Sequence, residues 1–372
     1  HPPLRQRFRV LGSLVDLEGP EEAVAPIAST YARFCEPQAT KETPDQVVTL
    51  DPGAGIIRSG STEIPLLPEL PPTLQLYQQF LTAILDRIDS HIILHAAALV
   101  TPKGEGVVIA APSGHGKSTL SQELVRRGCR CLGDDYAPLD PAGATIAPYP
   151  RTIGTLPEQG ASGGTAPTLL GKVQIDPGMI RGDDGVASRP APLRHVLLLT
   201  SSAVSPEEFQ AWDRKTELNV VCDSRHAVRI EAIFDSTPGV TVLTRTSGAG
   251  GSCRGWRLAL DARLHPGGAL AAVLEDPAMI LVEKVWSDPP RFDTQPKAYP
   301  VPRRVAAAIL GGEVMNRRQT GRLMKRYKGD TTLLFLDIAG ALTGAGCHQV
   351  QVGRFEETVA LIDSLIGASD RV

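Results

Sequence analysis

The chain of 372 residues is 42% hydrophobic and 21% charged, a composition typical of a globular protein that can bury a sizeable core. Its net charge of −3, without an arginine-rich or aromatic-interleaved stretch, argues against nucleic-acid binding. We expect neither a signal peptide nor a membrane segment, because the start lacks an uninterrupted apolar core and the most apolar late stretch, residues 332–342, is short and carries Asp337.

The six cysteines are scattered and include no C-x-x-C pair. Cys129 and Cys131 lie two apart on an expected strand, so both should point to one face as core thiols. This pattern favours a reduced, cytoplasmic protein without structural zinc.

Residues 1–90 have the pattern of a small α/β lobe. The last helix expected there has Leu76, Phe80 and Ile84 at core spacing and Thr73 as a candidate N-cap. No chemistry is indicated, so the lobe should serve as scaffold or recognise the substrate. The predicted elements are a strand at 8–17, a helix at 20–34, strands at 47–50, 55–58 and 63–67, and a helix at 73–88.

The pattern that indicates function begins with VVIAA at residues 107–111, a β-branched run typical of a buried strand. PSGHGKS follows, and then TLSQELVR, whose apolar residues share one helix face. Gly114 and Gly116 let the backbone turn its N–H groups toward an anion. Lys117 supplies a cation for the β and γ phosphates of ATP, and Ser118 can hold Mg²⁺. This order predicts a phosphate-binding loop.

Three further residues, Ser113, His115 and Thr119, complete the lining of this loop. The usual pattern is G-x-x-x-x-G-K-[ST], and Ala111 stands here at the first glycine. Alanine adopts positive φ only at a cost, so we expect Ala111 at negative φ. The alternative for the whole stretch is a surface turn with a chance Gly-Lys-Ser.

A pair of carboxylates, Asp134 and Asp135, ends a short strand expected at residues 129–132. Carboxylates at a strand end beside a phosphate loop suit both Mg²⁺ and the activation of a hydroxyl. Successive strand side chains point to opposite faces, so the two should have different tasks. The alternative is a polar turn after a strand.

His95 interrupts the apolar segment IILHAAALV at residues 92–100. LHAAALV, VVIAAPSGHGKSTL and RRGCRCLGDDYAPLD, taken together, resemble the catalytic domain of HPr kinase/phosphorylase and its HPr-kinase-like relatives, which share a distant fold relationship with phosphoenolpyruvate carboxykinase. The resemblance covers residues 91–140. It implies that one of the two aspartates is the base and that His95 orients or tunes this base. We assign Asp135 as the base and Asp134 as the Mg²⁺-side ligand, and the reverse assignment stays open.

Arg151, in a proline-rich stretch, is a candidate phosphate clamp, since a guanidinium stabilises charge on a transferring phosphoryl group. Lys172 is a weaker candidate for that role. The remaining pattern predicts a strand at 194–200, an inserted segment at about 205–290 with a helix at 206–218 and a strand at 240–244, and a basic helix containing Arg317 to Arg326. The end of the chain predicts a strand at 333–336, a helix at 338–342, a strand at 348–352 and a helix at 355–366.

These observations predict an α/β protein with a mixed-sheet P-loop core of HPr-kinase type at residues 91–372, preceded by the lobe at 1–90. The expected activity is an ATP- and Mg²⁺-dependent kinase that phosphorylates a hydroxyl. The resemblance implies a serine on a peptide or protein partner, such as a precursor of a ribosomally made peptide. It implies neither HPr as substrate nor phosphorolysis, because no segment matches the family's later signature. A small-molecule kinase, a non-catalytic nucleotide sensor and a homo-oligomeric state stay open.

Overall fold

A computed structural model of the chain describes residues 3–37, 42–68, 70–112, 114–155, 168–169, 172–201, 216–247, 251, 253–260, 279–285 and 290–367. Within these ranges the protein is a mixed α/β fold built on a six-stranded, a nine-stranded, a four-stranded and a three-stranded sheet. None of the helices in these ranges combines the length and the apolar composition that crossing a bilayer requires.

The N-terminal region is the six-stranded sheet, with order β3-β1-β2-β4-β5-β6, against which two helices pack. Phe8, Tyr31 and Phe80 belong to its core, which continues into Ile93 and Tyr149 of the central region, so the two regions share one apolar interior. The elements are β1 Leu4–Val10, β2 Ser13–Gly19, α1 Glu21–Thr30, β3 Cys35–Glu36, β4 Gln46–Asp51, β5 Ile56–Ser59, β6 Thr62–Pro65 and α2 Pro72–Leu85.

Residues 8–17, predicted as one strand, instead belong to the hairpin of β1 and β2. The turn is formed by Leu11 and Gly12, whose φ angles are 48° and 86°. A two-residue hairpin turn of this kind needs positive φ, which leucine rarely adopts, so the turn carries little sequence signal. The burial of Leu76 and Phe80 confirms the core face of α2, but this helix begins after Pro71, and Thr73 is not its cap.

The nine-stranded sheet forms the centre of the molecule. Its strand order is β10-β8-β9-β16-β12-β11-β7, with β22 (Gly346–Gln351) beside β16 and β21 (Lys297–Pro300) beside β22. The strands β9, β16 and β22 run parallel to one another. The central elements are β7 Ile92–Leu94, β8 Ala96–Val100, β9 Gly106–Ala110, α3 Lys117–Arg126, β10 Arg130–Gly133, β11 Ala137–Asp140, β12 Thr145–Ile146, β13 Ile153–Thr155, β14 Thr168–Leu169, β15 Lys172–Ile175, α4 Gly178–Arg181 and β16 Ala191–Thr200; β13, β14 and β15 form the three-stranded sheet.

The segment predicted as an insertion contains the four-stranded antiparallel sheet, with order β18-β19-β17-β20, and one helix packed on it. Phe234 and Trp256 lie in its own apolar core. Most of the helix predicted at 206–218 lies outside the described residues, and its last three residues are in a strand. The elements are β17 Thr216–Asp223, α5 Ala227–Ser236, β18 Val240–Ser247, β19 Cys253–Leu260 and β20 Met279–Val285.

The C-terminal elements complete the central sheet and cover it. The strand predicted at 333–336 is wrong: these residues lie in a helix that is capped by Asp330, whose side chain accepts from the N–H of Thr332. A four-residue apolar run cannot by itself separate a strand from a buried helix. Of the predicted basic helix, only the last five residues, Arg322–Arg326, are helical. The elements are β21 Lys297–Pro300, α6 Arg303–Gly312, α7 Arg322–Arg326, α8 Thr331–Ala341, β22 Gly346–Gln351 and α9 Phe355–Gly367.

All six cysteines are free thiols. Cys129 and Cys131 are buried in the same apolar cluster, which confirms that both face the core. Burial raises the pKa of Cys129 to about 11, so this thiol is protonated at neutral pH.

Candidate active site

The ends of three neighbouring strands meet at one edge of the central sheet. β9 ends at Ala110, and β8 begins directly opposite, at Ala96. β10 is antiparallel to β8 and therefore ends at the same edge, at Gly133. This pairing brings the loop after β9, the histidine before β8 and the aspartates after β10 together. The carboxyl ends of parallel strands are the usual place for ligand sites in open α/β sheets.

The loop between β9 and α3 has the backbone that its glycines predict. Gly114 and Gly116 have φ of 83° and 78°, a conformation that is costly for residues with a Cβ. Gly116 is also the N-cap of α3, so the first N–H groups of this helix are directed toward the loop. Ala111 does not adopt a positive φ, which confirms the prediction of a negative φ. Ser113 lies outside the described residues.

Two other predicted loop residues differ in exposure. His115 is only 2% exposed, and its Nε2 is 2.8 Å from the hydroxyl of Ser201, which follows β16. Thr119 lies half-buried in the first turn of α3. His115 thus connects the loop to the neighbouring parallel strand.

Lys117 is the first residue of α3, and its side chain is buried. Its Nζ lies 3.4 Å from Oδ1 of Asp135 and, within the described part of the chain, makes no hydrogen bond. A buried ammonium group with unused N–H donors is ready to bind an anion.

Asp134 is completely buried and accepts a hydrogen bond at Oδ2 from the hydroxyl of Ser118, at 2.9 Å. Its other oxygen, Oδ1, has no hydrogen-bond donor among the residues that the structure describes. Burial and the neighbouring charge of Asp135 raise the pKa of Asp134 to about 6. The carboxylate therefore lacks the partners that would stabilise its charge.

Asp135 has a different environment, since about a fifth of its side chain is exposed (22%). Its Oδ2 accepts a hydrogen bond from Nη2 of Arg151, and its Oδ1 faces Lys117. Burial would raise the pKa of Asp135, but the charges of Arg151 and Lys117 outweigh it and hold the pKa well below the usual range. The two adjacent carboxylates thus have different partners.

His95 lies at the same edge and is more exposed, at 38% of its side chain. Its Nδ1 is 3.5 Å from Oε2 of Glu313, and its backbone N–H donates to the carbonyl of the same residue at 2.8 Å. The charge of His95, when this residue is protonated, and the charge of Lys172 further lower the pKa of Asp135.

Every predicted site residue that the structure describes therefore lies around this edge of the sheet. Sequence reasoning missed three of their partners: Ser201 at His115, Glu313 at His95 and Tyr77 at Arg151. Ser201 and Glu313 carry no local pattern. Tyr77 stands one position beside the apolar stripe of α2, and a polar hydroxyl next to a core face was the available signal.

The unused polar atoms at the site fit a nucleotide with Mg²⁺. Nζ of Lys117 can bind phosphate oxygens, while Oδ1 of Asp134 and the hydroxyl of Ser118 can bind a hard cation. Among the described residues no cluster of three or more His, Cys, Asp and Glu side chains could hold a metal.

No protein-family model matches the chain. Among solved structures, the HPr(Ser) kinase/phosphatase from Coxiella burnetii is 26% identical in sequence over 31% of this chain and 67% of that chain, with a TM-score of 0.23. A TM-score of this size does not establish a shared fold. The function proposed below therefore rests on the geometry of the site.

Proposed function

We propose that this protein is an ATP-dependent kinase that transfers the γ-phosphoryl group to a hydroxyl, most specifically to a serine of a peptide or protein. The observation that carries the proposal is the convergence of Lys117, Ser118, Asp134 and Asp135 at one sheet edge. There Nζ of Lys117 and Oδ1 of Asp134 are buried without a hydrogen-bond partner among the described residues. The serine acceptor is supported by the motif resemblance alone.

Each residue of the site has a separate role in the proposed phosphoryl transfer. The backbone of residues 111–119 and the start of α3 bind the phosphates, and Lys117 neutralises their charge. Ser118 and Asp134 hold Mg²⁺, which when bound offsets the charge that develops on the phosphates. Asp135 accepts the proton of the attacking hydroxyl, and His95 tunes this base.

Arg151 holds Asp135 through Nη2, and we assign its positive charge as the clamp on the transferring phosphoryl group. A phosphate that binds the ammonium group of Lys117 must compete for it with Asp135, which lies beside it. Asp135 is thus ion-paired with both Arg151 and Lys117, the two cations assigned to the phosphates.

The test combines two measurements on the purified protein with MgATP. Mass spectrometry should detect the gain of one phosphate on a serine-containing peptide encoded beside this gene, and ADP release should accompany it. Lys117→Ala should lower both signals by at least about 100-fold while the protein stays folded. Lys325→Ala, which removes an exposed lysine of α7, is the matched control and should leave both unchanged.

Other outcomes decide between the alternatives. ADP release with sugars or free amino acids, but not with peptides, would make the protein a small-molecule kinase. Nucleotide binding without any ADP release would make it a sensor. Full phosphoryl transfer by Lys117→Ala would contradict the assignment of the loop.

A further inference from the structure

A residue of the N-terminal region contacts Arg151, the arginine of the site. Arg151 is only 7% exposed; its Nη1 donates to the hydroxyl of Tyr77, in α2, at 2.9 Å, and its Nη2 donates to Asp135. These two are the hydrogen-bond acceptors of the Arg151 side chain within the described ranges. The guanidinium carbon also lies 5.0 Å from the ring centroid of Tyr136. Tyr77, from the N-terminal region, therefore contacts the guanidinium of Arg151 directly.

The backbone that carries Arg151 is attached to the same region. The N–H of Thr152 donates to the carbonyl of Thr30, at the end of α1, at 3.1 Å. Two residues before the arginine, the ring of Tyr149 packs edge-on against Tyr31, with centroids 6.4 Å apart. Both rings are fully buried in the core that the two regions share. The position of Arg151 thus depends on how the N-terminal region packs.

Each N–H group of a buried guanidinium that lacks an acceptor is costly, and more so because the group is charged. Nε of Arg151 already has no acceptor among the described residues, so the acceptors at Nη1 and Nη2 hold the side chain in place. The hydroxyl of Tyr77 is a neutral acceptor, so it binds Nη1 without competing with Asp135 for the positive charge. Without this hydroxyl, Nη1 must turn toward water or toward Asp135. Either movement displaces the carboxylate that Arg151 holds.

We propose that Tyr77 is a positioning residue for phosphoryl transfer, through which the N-terminal region fixes Arg151 and thereby Asp135. The role in transfer rests on the proposed kinase function. The contact between Tyr77 and Arg151 does not, since it is a hydrogen bond within the protein itself. Tyr77 touches neither of the predicted phosphate ligands, Lys117 and Ser118, through a hydrogen bond among the described residues. Its effect should therefore appear in turnover and not in nucleotide affinity.

The test compares Tyr77→Phe with Tyr31→Phe in the full-length protein. Tyr31 is fully buried in the same aromatic cluster, and its hydroxyl forms no hydrogen bond with Arg151, so Tyr31→Phe controls for the loss of a buried hydroxyl. With MgATP, Tyr77→Phe should lower the maximal rate of ADP release by about 10- to 100-fold and leave the affinity for MgATP within about threefold. Tyr31→Phe should keep both within about twofold of wild type.

A rate for Tyr77→Phe within twofold of wild type, or an equal loss in Tyr31→Phe, would overturn the proposal. A second measurement needs no nucleotide. Tyr77→Phe should lower the melting temperature in the wild-type background, and most of that loss should disappear in an Arg151→Met background, because the partner of the hydroxyl is then absent. An equal loss in both backgrounds would show that Tyr77 does not hold Arg151.

The two measurements also separate this inference from the proposed function. If the wild-type protein neither binds MgATP nor releases ADP, the kinase proposal and the role of Tyr77 in transfer are both overturned. A coupled melting-temperature cycle in that case still supports the link between the two regions.

Discussion

Two fully buried aspartates, Asp16 in the N-terminal sheet and Asp134 at the edge of the central sheet, show how differently two regions of one protein treat a buried charge. Asp16 accepts hydrogen bonds at both oxygens: Arg7 donates to Oδ1 at 2.7 Å and to Oδ2 at 2.8 Å, and Arg5 also donates to Oδ2. Asp134 receives one hydroxyl at Oδ2, and its Oδ1 has no donor within the described residues.

The pKa values follow these contacts. Burial would raise the pKa of Asp16, but the hydrogen bonds from Arg7 and Arg5 outweigh it and lower the pKa. Burial and a like charge raise the pKa of Asp134. The N-terminal sheet uses its carboxylate to stabilise the fold, because both oxygens of Asp16 accept hydrogen bonds from arginines. The edge of the central sheet gives Asp134 a single hydrogen-bond donor among the described residues, which is typical of a functional site.

The largest expected effect is the loss of phosphoryl transfer when a carboxylate of the site is removed. Asp135→Asn should lower phosphoryl transfer by about 10²- to 10⁴-fold with a much smaller loss of MgATP affinity, because a hydroxyl is a poor nucleophile without a base. Asp134→Asn should weaken both transfer and affinity, since it removes a carboxylate assigned to Mg²⁺. The measurements are ADP release and calorimetric titration with MgATP. If Asp135→Asn transfers normally and Asp134→Asn is inactive with intact binding, the two roles are reversed. Full activity in both variants would remove the pair from catalysis.

The next largest effect is a loss of stability when the ion pair of Asp16 and Arg7 is broken. Asp16→Asn leaves the buried guanidinium of Arg7 without its counter-charge and should lower the free energy of unfolding by about 3 to 5 kcal/mol. Glu18→Gln is the matched control, because Glu18 lies on the same strand and pairs with Arg5 at 3.0 Å but is 24% exposed. Its cost should stay below about 1 kcal/mol. Chemical denaturation measures both, and equal losses would contradict the distinction.

A smaller effect of opposite sign is expected at the site. Asp134→Asn removes a poorly partnered buried charge and should raise the free energy of unfolding by about 1 to 3 kcal/mol at pH 8, without nucleotide or Mg²⁺. Asp183→Asn, at an exposed position, is the control and should have no effect. A loss of stability in Asp134→Asn would show that this carboxylate contributes to the fold as Asp16 does.

The smallest effect is the pH dependence of these two contributions. Asp16 has a lowered pKa when folded, so its stabilisation is complete above the ordinary carboxyl pKa of about 4 and is lost as the pH falls through the folded value. Asp134 has a raised folded pKa of about 6, so stability falls as the pH rises from about 4 to this value and is level above it. Unfolding of wild type and of each Asn variant from pH 3 to 8 measures both slopes. Parallel slopes for the two variants would contradict the comparison.

Much of the fold was predictable from local patterns. The strand before the loop, helix α3, the core face of α2 and the final helix all carry periodic apolar residues, and the structure has them close to the predicted positions. The errors have identifiable causes. The hairpin turn has Leu11 at its first position, where asparagine, aspartate or glycine is usual, and the run at 333–336 was too short to distinguish a strand from a helix.

By itself, the sequence determined the parts of the candidate site that are close together along the chain. The glycines of the loop, Lys117, Ser118 and the two aspartates could be found because their order is local, and the ends of adjacent strands must then meet at one edge. The tertiary structure alone decided which partner each of them has. Tyr77 and Arg151 are 74 residues apart, and His115 and Ser201 are 86 apart. Such contacts depend on which strands pair and how the N-terminal region packs, and no local pattern encodes those choices.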